Sequence, residues 1–196
     1  YIISGNGKEC VIIDCGCYVG AEEPKLEEML SARRLKPVML LDTHCHLDHV
    51  FGNRFMLERY GLRPWFHEGD RHNYQNAPKQ SLMFGLSMEP QPDPEGYLSD
   101  GQVISAAGVT LTVIAVPGHS PGGIAFYSAT DGVVFTGDAL FAGSIGRSDL
   151  PGGDHEQLME NIRERLFVLP PDTVAYPGHG PETTIREEAE HNPFFM

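Results

Sequence analysis

An α/β fold of two sheets with helices outside is what this sequence predicts, from three observations. Short runs rich in Val, Ile and Leu fall in two batches, one ending at Leu41 and one from Thr110 to Thr136. Helix-periodic stretches follow both batches, the signature of strands covered by helices. Residues of reactive type recur directly after apolar runs, at Gly- or Pro-containing turns, where α/β folds carry their sites.

The elements follow in order. Tyr1–Ser4 and Cys10–Asp14 read as strands joined across Gly5-Asn6-Gly7. Residues 22–34 read as a helix, with Pro24 in the first turn and Leu26, Met29, Leu30 and Arg33 at helical spacing. Val38–Leu41 is a buried strand, and Asn53–Tyr60 a helix closed by Gly61. From His67 to Gly101 periodicity is weak and prolines recur (Pro78, Pro90, Pro92, Pro94), which predicts a surface excursion holding one helix. Thr110–Val116, Gly123–Ser128 and Val133–Thr136 are strands. Glu156–Val168 is a helix capped by Asp154 with Gln157 three residues on, and its buried face is Leu158, Ile162 and Leu166. Thr173–Tyr176 is the last strand and Thr183–Glu190 the closing helix.

One domain is expected over the 196 residues, since 41% hydrophobic and 21% charged residues are ordinary for a globular chain. The net charge of -13 argues against a nucleic acid or an anionic membrane as partner. No apolar run is long enough to span a bilayer and no leader is visible, so a cytoplasmic location is expected. The chain starts at Tyr1 rather than Met, which leaves room for a leader or first strand before it. Cys10, Cys15, Cys17 and Cys45 form no CxxC pair and read as structural thiols.

Chemistry concentrates in Asp42-Thr43-His44-Cys45-His46-Leu47-Asp48-His49. Imidazoles and a carboxylate crowded at a buried strand end are costly without a compensating cation, and this donor set suits zinc, iron or manganese. His44 and His46, two apart in an extended turn, can face one ion; Asp48 and His49, beyond the bend at Leu47, can face a second. Cys45 alternates away from them and reads as packing. Three later strand ends repeat the pattern: Pro117-Gly118-His119-Ser120, Thr136-Gly137-Asp138 and Pro177-Gly178-His179-Gly180. Together they offer five imidazoles and two carboxylates, with Asp138 able to bridge two ions about 3.5–4 Å apart. Asp14, in Ile13-Asp14-Cys15-Gly16, reads as a structural carboxylate bonding turn amides. His67, His72, His155 and His191 read as surface or helix-end residues.

THxHxDH followed by PGHS, TGD and PGHG resembles the metallo-β-lactamase superfamily, a four-layer αβ/βα sandwich of two mixed sheets flanked by helices. Ser120-Pro121-Gly122-Gly123 and Gly146-Arg147-Ser148-Asp149-Leu150-Pro151 are similar to the short, single-domain bacterial members of its glyoxalase II (hydroxyacylglutathione hydrolase) group. The resemblance implies two divalent ions, zinc first, with His44, His46 and His119 on one, Asp48, His49 and His179 on the other, and Asp138 bridging. It implies hydrolysis of a small-molecule thioester by a metal-bound hydroxide that Asp48 helps to orient. The helical C-terminal domain that grips glutathione in two-domain relatives is not expected, because 17 residues follow His179. Antibiotic hydrolysis is not expected either, since secreted β-lactamases typically carry Cys near the place of Asp138. The alternative is an oxidative enzyme resembling the persulfide dioxygenases, with a single iron on His44, His119 and Asp138. A metal-binding domain without turnover is the third reading.

Overall fold

Val- and Ile-rich strands with helices between them build two mixed sheets in the computed structural model, which describes residues 1–18, 20 and 22–196. The first sheet runs β1 (Ile2–Ile3), β2 (Glu9–Ile13), β3 (Lys36–Leu41), β4 (Pro64–His67) and β5 (Gly96–Leu98), in that spatial order. β1 and β2 pair antiparallel, Ile2 opposite Ile12, whereas β2, β3 and β4 run parallel. A parallel strand has both faces covered, which is why β2 is buried from Cys10 to Ile13 rather than alternating. The crossover from β2 to β3 is α1 (Glu23–Arg33), with a proline in its first turn and Arg34 closing it at φ 54. β3 leads into the short α2 (Leu47–Val50) and then α3 (Asn53–Tyr60), which Gly61 ends at φ 71, where a side chain would be strained.

α4 (Arg71–Met83) is the one α-helix expected between His67 and Gly101. β4, whose four residues start on a proline, gave no alternating signal and was not foreseen. It fills the sheet because Pro64 at a strand start costs no ladder donor that β3 needs. Cys10, Ile12, Leu26, Leu30, Leu40 and Met56 pack between sheet and helices, and a second cluster gathers Cys45, Val50, Phe66, Tyr74 and Ala77.

The second sheet has the order β13 (Thr183–Thr184), β12 (Val174–Pro177), β9 (Val133–Gly137), β8 (Ile124–Ser128), β7 (Val109–Ala115) and β6 (Val103–Ala106). β7, β8 and β9 pair antiparallel and β9 and β12 parallel; β10 (Leu140–Phe141) and β11 (Ser144–Ile145) form a separate hairpin. α5 (His155–Asn161) starts at Asp154, whose carboxylate accepts from the Gln157 amide at 3.0 Å, as the capping pattern predicts. Its chain continues in a wider π-type turn to Leu166, so Leu158, Ile162 and Leu166 still share one buried face. The closing segment splits into β13 and α6 (Ile185–His191), capped by Thr184.

The chain divides into two compact units, Tyr1–Tyr97 with Ser105–Val109, and Leu98–Ile104 with Thr110–Met196. Within the second, Asp100 accepts from the Ala115 amide at 2.8 Å and from Arg165. Burial pushes its pKa up, but the Ala115 and Arg165 bonds outweigh this and hold it below the ordinary value. A lowered folded pKa contributes stability above the unfolded value of about 3.9, lost as pH falls through the folded one. Melting temperature against pH is therefore expected to lose part of its acid limb in Asp100→Asn; an unaltered limb would contradict this.

Candidate metal centre

In the first unit, candidate ligands gather where β2 and β3 end side by side. Their parallel register pairs Ile13 with Leu41, so Asp14 and Thr43, next along each chain, come together. Asp14 Oδ1 accepts from the Thr43 amide at 2.6 Å and Oδ2 from Thr43 Oγ1 at 2.7 Å. The same Oδ2 lies 2.9 Å from His49 Nδ1. Thr43 Oγ1, its proton given to Asp14, accepts from His44 Nδ1 at 3.1 Å. Both imidazoles thus carry their proton on Nδ1, which leaves each Nε2 lone pair to coordinate a cation. The rings are closely set: His44 and His46 centroids are 4.8 Å apart, His44 and His49 3.9 Å. Asp48, half exposed, puts Oδ2 3.8 Å from His49 Nε2.

Three buried polar groups hold this turn from behind. Asn53 Nδ2, at the start of α3, donates to Asp42 Oδ2 at 2.7 Å, and the Cys45 amide donates to Asp70 Oδ2 at 2.7 Å. Burial, then the Asp14 charge, pushes the Asp42 carboxyl well above its ordinary pKa. Cys45 points into the apolar cluster of Val50 and Phe66, as alternation requires. Gly16 lies so close that a Cβ there would stand 2.0 Å from the Asp48 carbonyl oxygen.

In the second unit, candidate ligands come from three strand ends. The loop Pro117-Gly118-His119 is clamped by α5: the Asp154 amide donates to Gly118 O at 2.8 Å and Asn161 Nδ2 to Pro117 O at 2.9 Å. Gly118 adopts φ 130, and a Cβ on it would meet the Leu158 amide nitrogen at 2.4 Å, so only glycine admits the helix this near. β9 and β12 pair Gly137 with Pro177 across a register shift, which sets Asp138 beside the Gly178-His179 turn. Asp138 Oδ2 then lies 3.7 Å from His119 Nε2 and 3.6 Å from His179 Nε2. His119 Nδ1 is 2.6 Å from the Arg147 carbonyl, which again leaves the Nε2 lone pair to coordinate a cation. The Arg147 side chain is turned away, exposed and bidentate on Asp149 at 2.8 and 2.9 Å.

These separations test the fit to a metal. Two donors about 2.0–2.1 Å from one tetrahedral ion lie about 3.3–3.4 Å apart. Nε2···Oδ2 distances of 3.6 to 3.8 Å are too long for hydrogen bonds and near that ligand spacing. Imidazole with carboxylate is also the donor set of divalent transition ions; in the first unit buried His44 and His49 stand with Asp48, and in the second buried His119 stands with Asp138. The residues fit the group.

Gly146 carries a consequence for the second unit's residues. A Cβ there would lie 1.8 Å from the Asp138 carbonyl oxygen and 2.9 Å from His119 Nδ1. Gly146→Ala is expected to displace both candidate ligands and weaken metal binding by about 10–100-fold, the range for disturbing a ligand's support. Retained metal content after dialysis against a graded chelator would contradict it.

The sequence had placed Asp14 among turn residues; the structure gives it the His49 and Thr43 contacts as well. The Arg147 carbonyl carried no side-chain signal at all. His67, His155 and His191 sit at helix ends and His72 in the exposed first turn of α4, as expected. Among the described residues no helix is long and apolar enough to cross a membrane.

The sequence profile of the Metallo-beta-lactamase superfamily matches residues 1–179. Hydroxyacylglutathione hydrolase GloC of Haemophilus influenzae is 36% identical over 200 residues, covering 98% of this chain and 90% of that protein. Among solved structures, the BLEG-1 B3 metallo-β-lactamase superposes with a TM-score of 0.90 at 33% identity, covering 100% of this chain and 92% of that one. TTHA1623, in a di-iron-bound form, gives 0.88 at 38%, covering 99% and 93%. ETHE1 from Myxococcus xanthus gives 0.78 at 27%, covering 98% and 77%. With two mixed sheets, helices and a His/Asp donor set that suits divalent ions, this chain belongs to the metallo-β-lactamase superfamily of metallo-hydrolases.

Proposed function

We propose that the protein hydrolyses small-molecule thioesters at a centre of two divalent ions. In this reading His44, His46 and His119 hold one ion, Asp48, His49 and His179 the other, and Asp138 bridges. The observation that carries it is Asp138 Oδ2 standing between two imidazole Nε2 atoms at 3.7 and 3.6 Å, the spacing of shared ligands. GloC, whose name is hydroxyacylglutathione hydrolase, supports a thioester at 36% identity.

The bound ions would acidify a water and polarise the thioester carbonyl. The protein's part is positional. Asp14 and Thr43 hold the Nδ1 protons of His49 and His44, and Arg147 O that of His119, so three Nε2 lone pairs are preset. Asp48, the most exposed carboxylate of the set, accepts a hydrogen bond from the attacking water and aims its oxygen at the carbonyl carbon. As the water's oxygen bonds to the carbonyl carbon, its proton passes to Asp48. The carbonyl then re-forms, the C–S bond breaks, and the sulfur leaves as a thiolate that takes up this proton without need of a strong acid.

Metal analysis of the purified protein with an assay on S-lactoylglutathione tests this. Two ions per chain with turnover is the expected result. The second reading is the oxidative one, a single iron on His44, His119 and Asp138, supported by the fold shared with ETHE1 and the iron of TTHA1623. One iron per chain, no thioester turnover, and oxygen uptake with glutathione persulfide would establish that reading instead.

A further inference from the structure

We infer that a cavity beside the Asp48–His49 helix binds an alkylammonium group and selects substrates that carry one. The cation site stands on the cavity's own lining; its assignment to a substrate arm rests on the hydrolase reading above.

The cavity, about 460 Å³, is lined entirely by residues of the first unit. Phe51 follows α2 directly, two residues beyond His49, and Tyr18 lies two residues from Gly16, which abuts the Asp48 carbonyl. The rings of Tyr18 and Phe51 meet edge to face at 5.0 Å and 79°, two walls of a corner. Phe55 and Met88 add apolar surface. An aromatic face lining a cavity attracts a quaternary or tertiary ammonium through its negative ring surface.

Charge points the same way. Glu23, Glu58 and Glu89 line the cavity against one cation, Arg54. That guanidinium is already committed: Nε donates to Glu58 Oε1 at 2.6 Å and stands 3.7 Å from Glu89 Oε2, and Nη1 reaches the Pro90 carbonyl at 3.5 Å. Three carboxylates less one guanidinium leave a lining of net charge -2. Gln91 also lines the cavity, and its Oε1 is buried with no hydrogen-bond partner among the described residues. Acceptors and ring faces thus outnumber donors, so an anion meets repulsion here and a cation is complemented. A carboxylate-bearing arm, such as either acid end of glutathione, does not belong in this corner.

The probe pair is choline and its neutral isostere 3,3-dimethyl-1-butanol, titrated by calorimetry into the metal-loaded protein. Choline is expected to bind at least about tenfold more tightly, the yield of a cation–ring contact with a partly desolvated head. Its binding should weaken with added salt and fall about fivefold or more in the double variant Glu23→Gln, Glu89→Gln at unchanged melting temperature. In turnover, kcat/KM should rank acetylthiocholine above S-acetyl-2-mercaptoethanol, and both above S-acetyl-3-mercaptopropionate. Equal binding of choline and dimethylbutanol, or no binding of either, overturns the cation site. Choline binding with none of the three esters hydrolysed would sink the thioester reading while leaving that site standing.

Discussion

Asp138→Ala is expected to cut metal loading to at most one ion per chain and to remove turnover. Its carboxylate lies within 4 Å of two other candidate ligand atoms of its unit, His119 Nε2 and His179 Nε2. Loss of a terminal ligand leaves an ion its other donors, whereas loss of a bridge takes a donor from both. The side chain is only 12% exposed, so water replaces it poorly. With Asp138 gone, His119 keeps its Arg147 tether and the loop keeps its α5 clamp, so the fold should survive. The expected result is at most one ion per chain after desalting and a fall in kcat/KM of about 10³-fold or more, from loss of several kcal/mol of charge stabilisation. Two retained ions with wild-type turnover would refute the bridging assignment. Asp138→Glu separates geometry from charge: it keeps the carboxylate but moves it by a methylene, and should restore part of the metal content with little of the rate.

The candidate ligand residues are legible because their chemistry is local. A buried apolar run followed by imidazoles needs no tertiary information to signal a cation, and the Gly and Pro around His119, Asp138 and His179 mark strand ends by themselves. α3 was equally legible, since Asn53–Tyr60 is periodic and Gly61 stops it. What failed were features that exist only after strands pair. Asp14 lies 29 residues from Thr43 and 35 from His49, and the parallel pairing of β2 with β3 is what joins them. In sequence it looked like any aspartate at a turn. The Arg147 carbonyl that steers His119 is a backbone atom, so its residue type encodes nothing about the role. Strands of two to four residues, such as β4, β10 and β11, are too short for a period to register.

Asp14 is also where the second large effect is expected. Its residue holds φ 53, a left-handed conformation that costs most side chains of order 1 kcal/mol but suits Asp and Asn. The conformation aims the carboxylate across to the next strand, where its two oxygens serve three donors: the Thr43 amide, Thr43 Oγ1 and His49 Nδ1. One group therefore fixes the backbone entering the His-rich turn, the tautomer of His49 and, through Thr43, that of His44. Asp14→Asn keeps the backbone conformation and one acceptor oxygen but turns the other into a donor that faces N–H or O–H groups. Metal affinity is expected to fall about 10–100-fold, as for other carboxylate–imidazole–metal arrangements. Asp14→Ala loses both acceptor oxygens, leaves all three donors unserved and strains the turn as well, so it should add a drop in melting temperature that Asp14→Asn lacks. NMR of the His49 ring in the metal-free protein gives a readout that packing alone would not move: Nδ1 protonation dominates in the wild type and gives way to mixed tautomers in Asp14→Asn. If the variant kept the wild-type tautomer and metal affinity, Asp14 would be no more than the turn carboxylate its sequence context suggests.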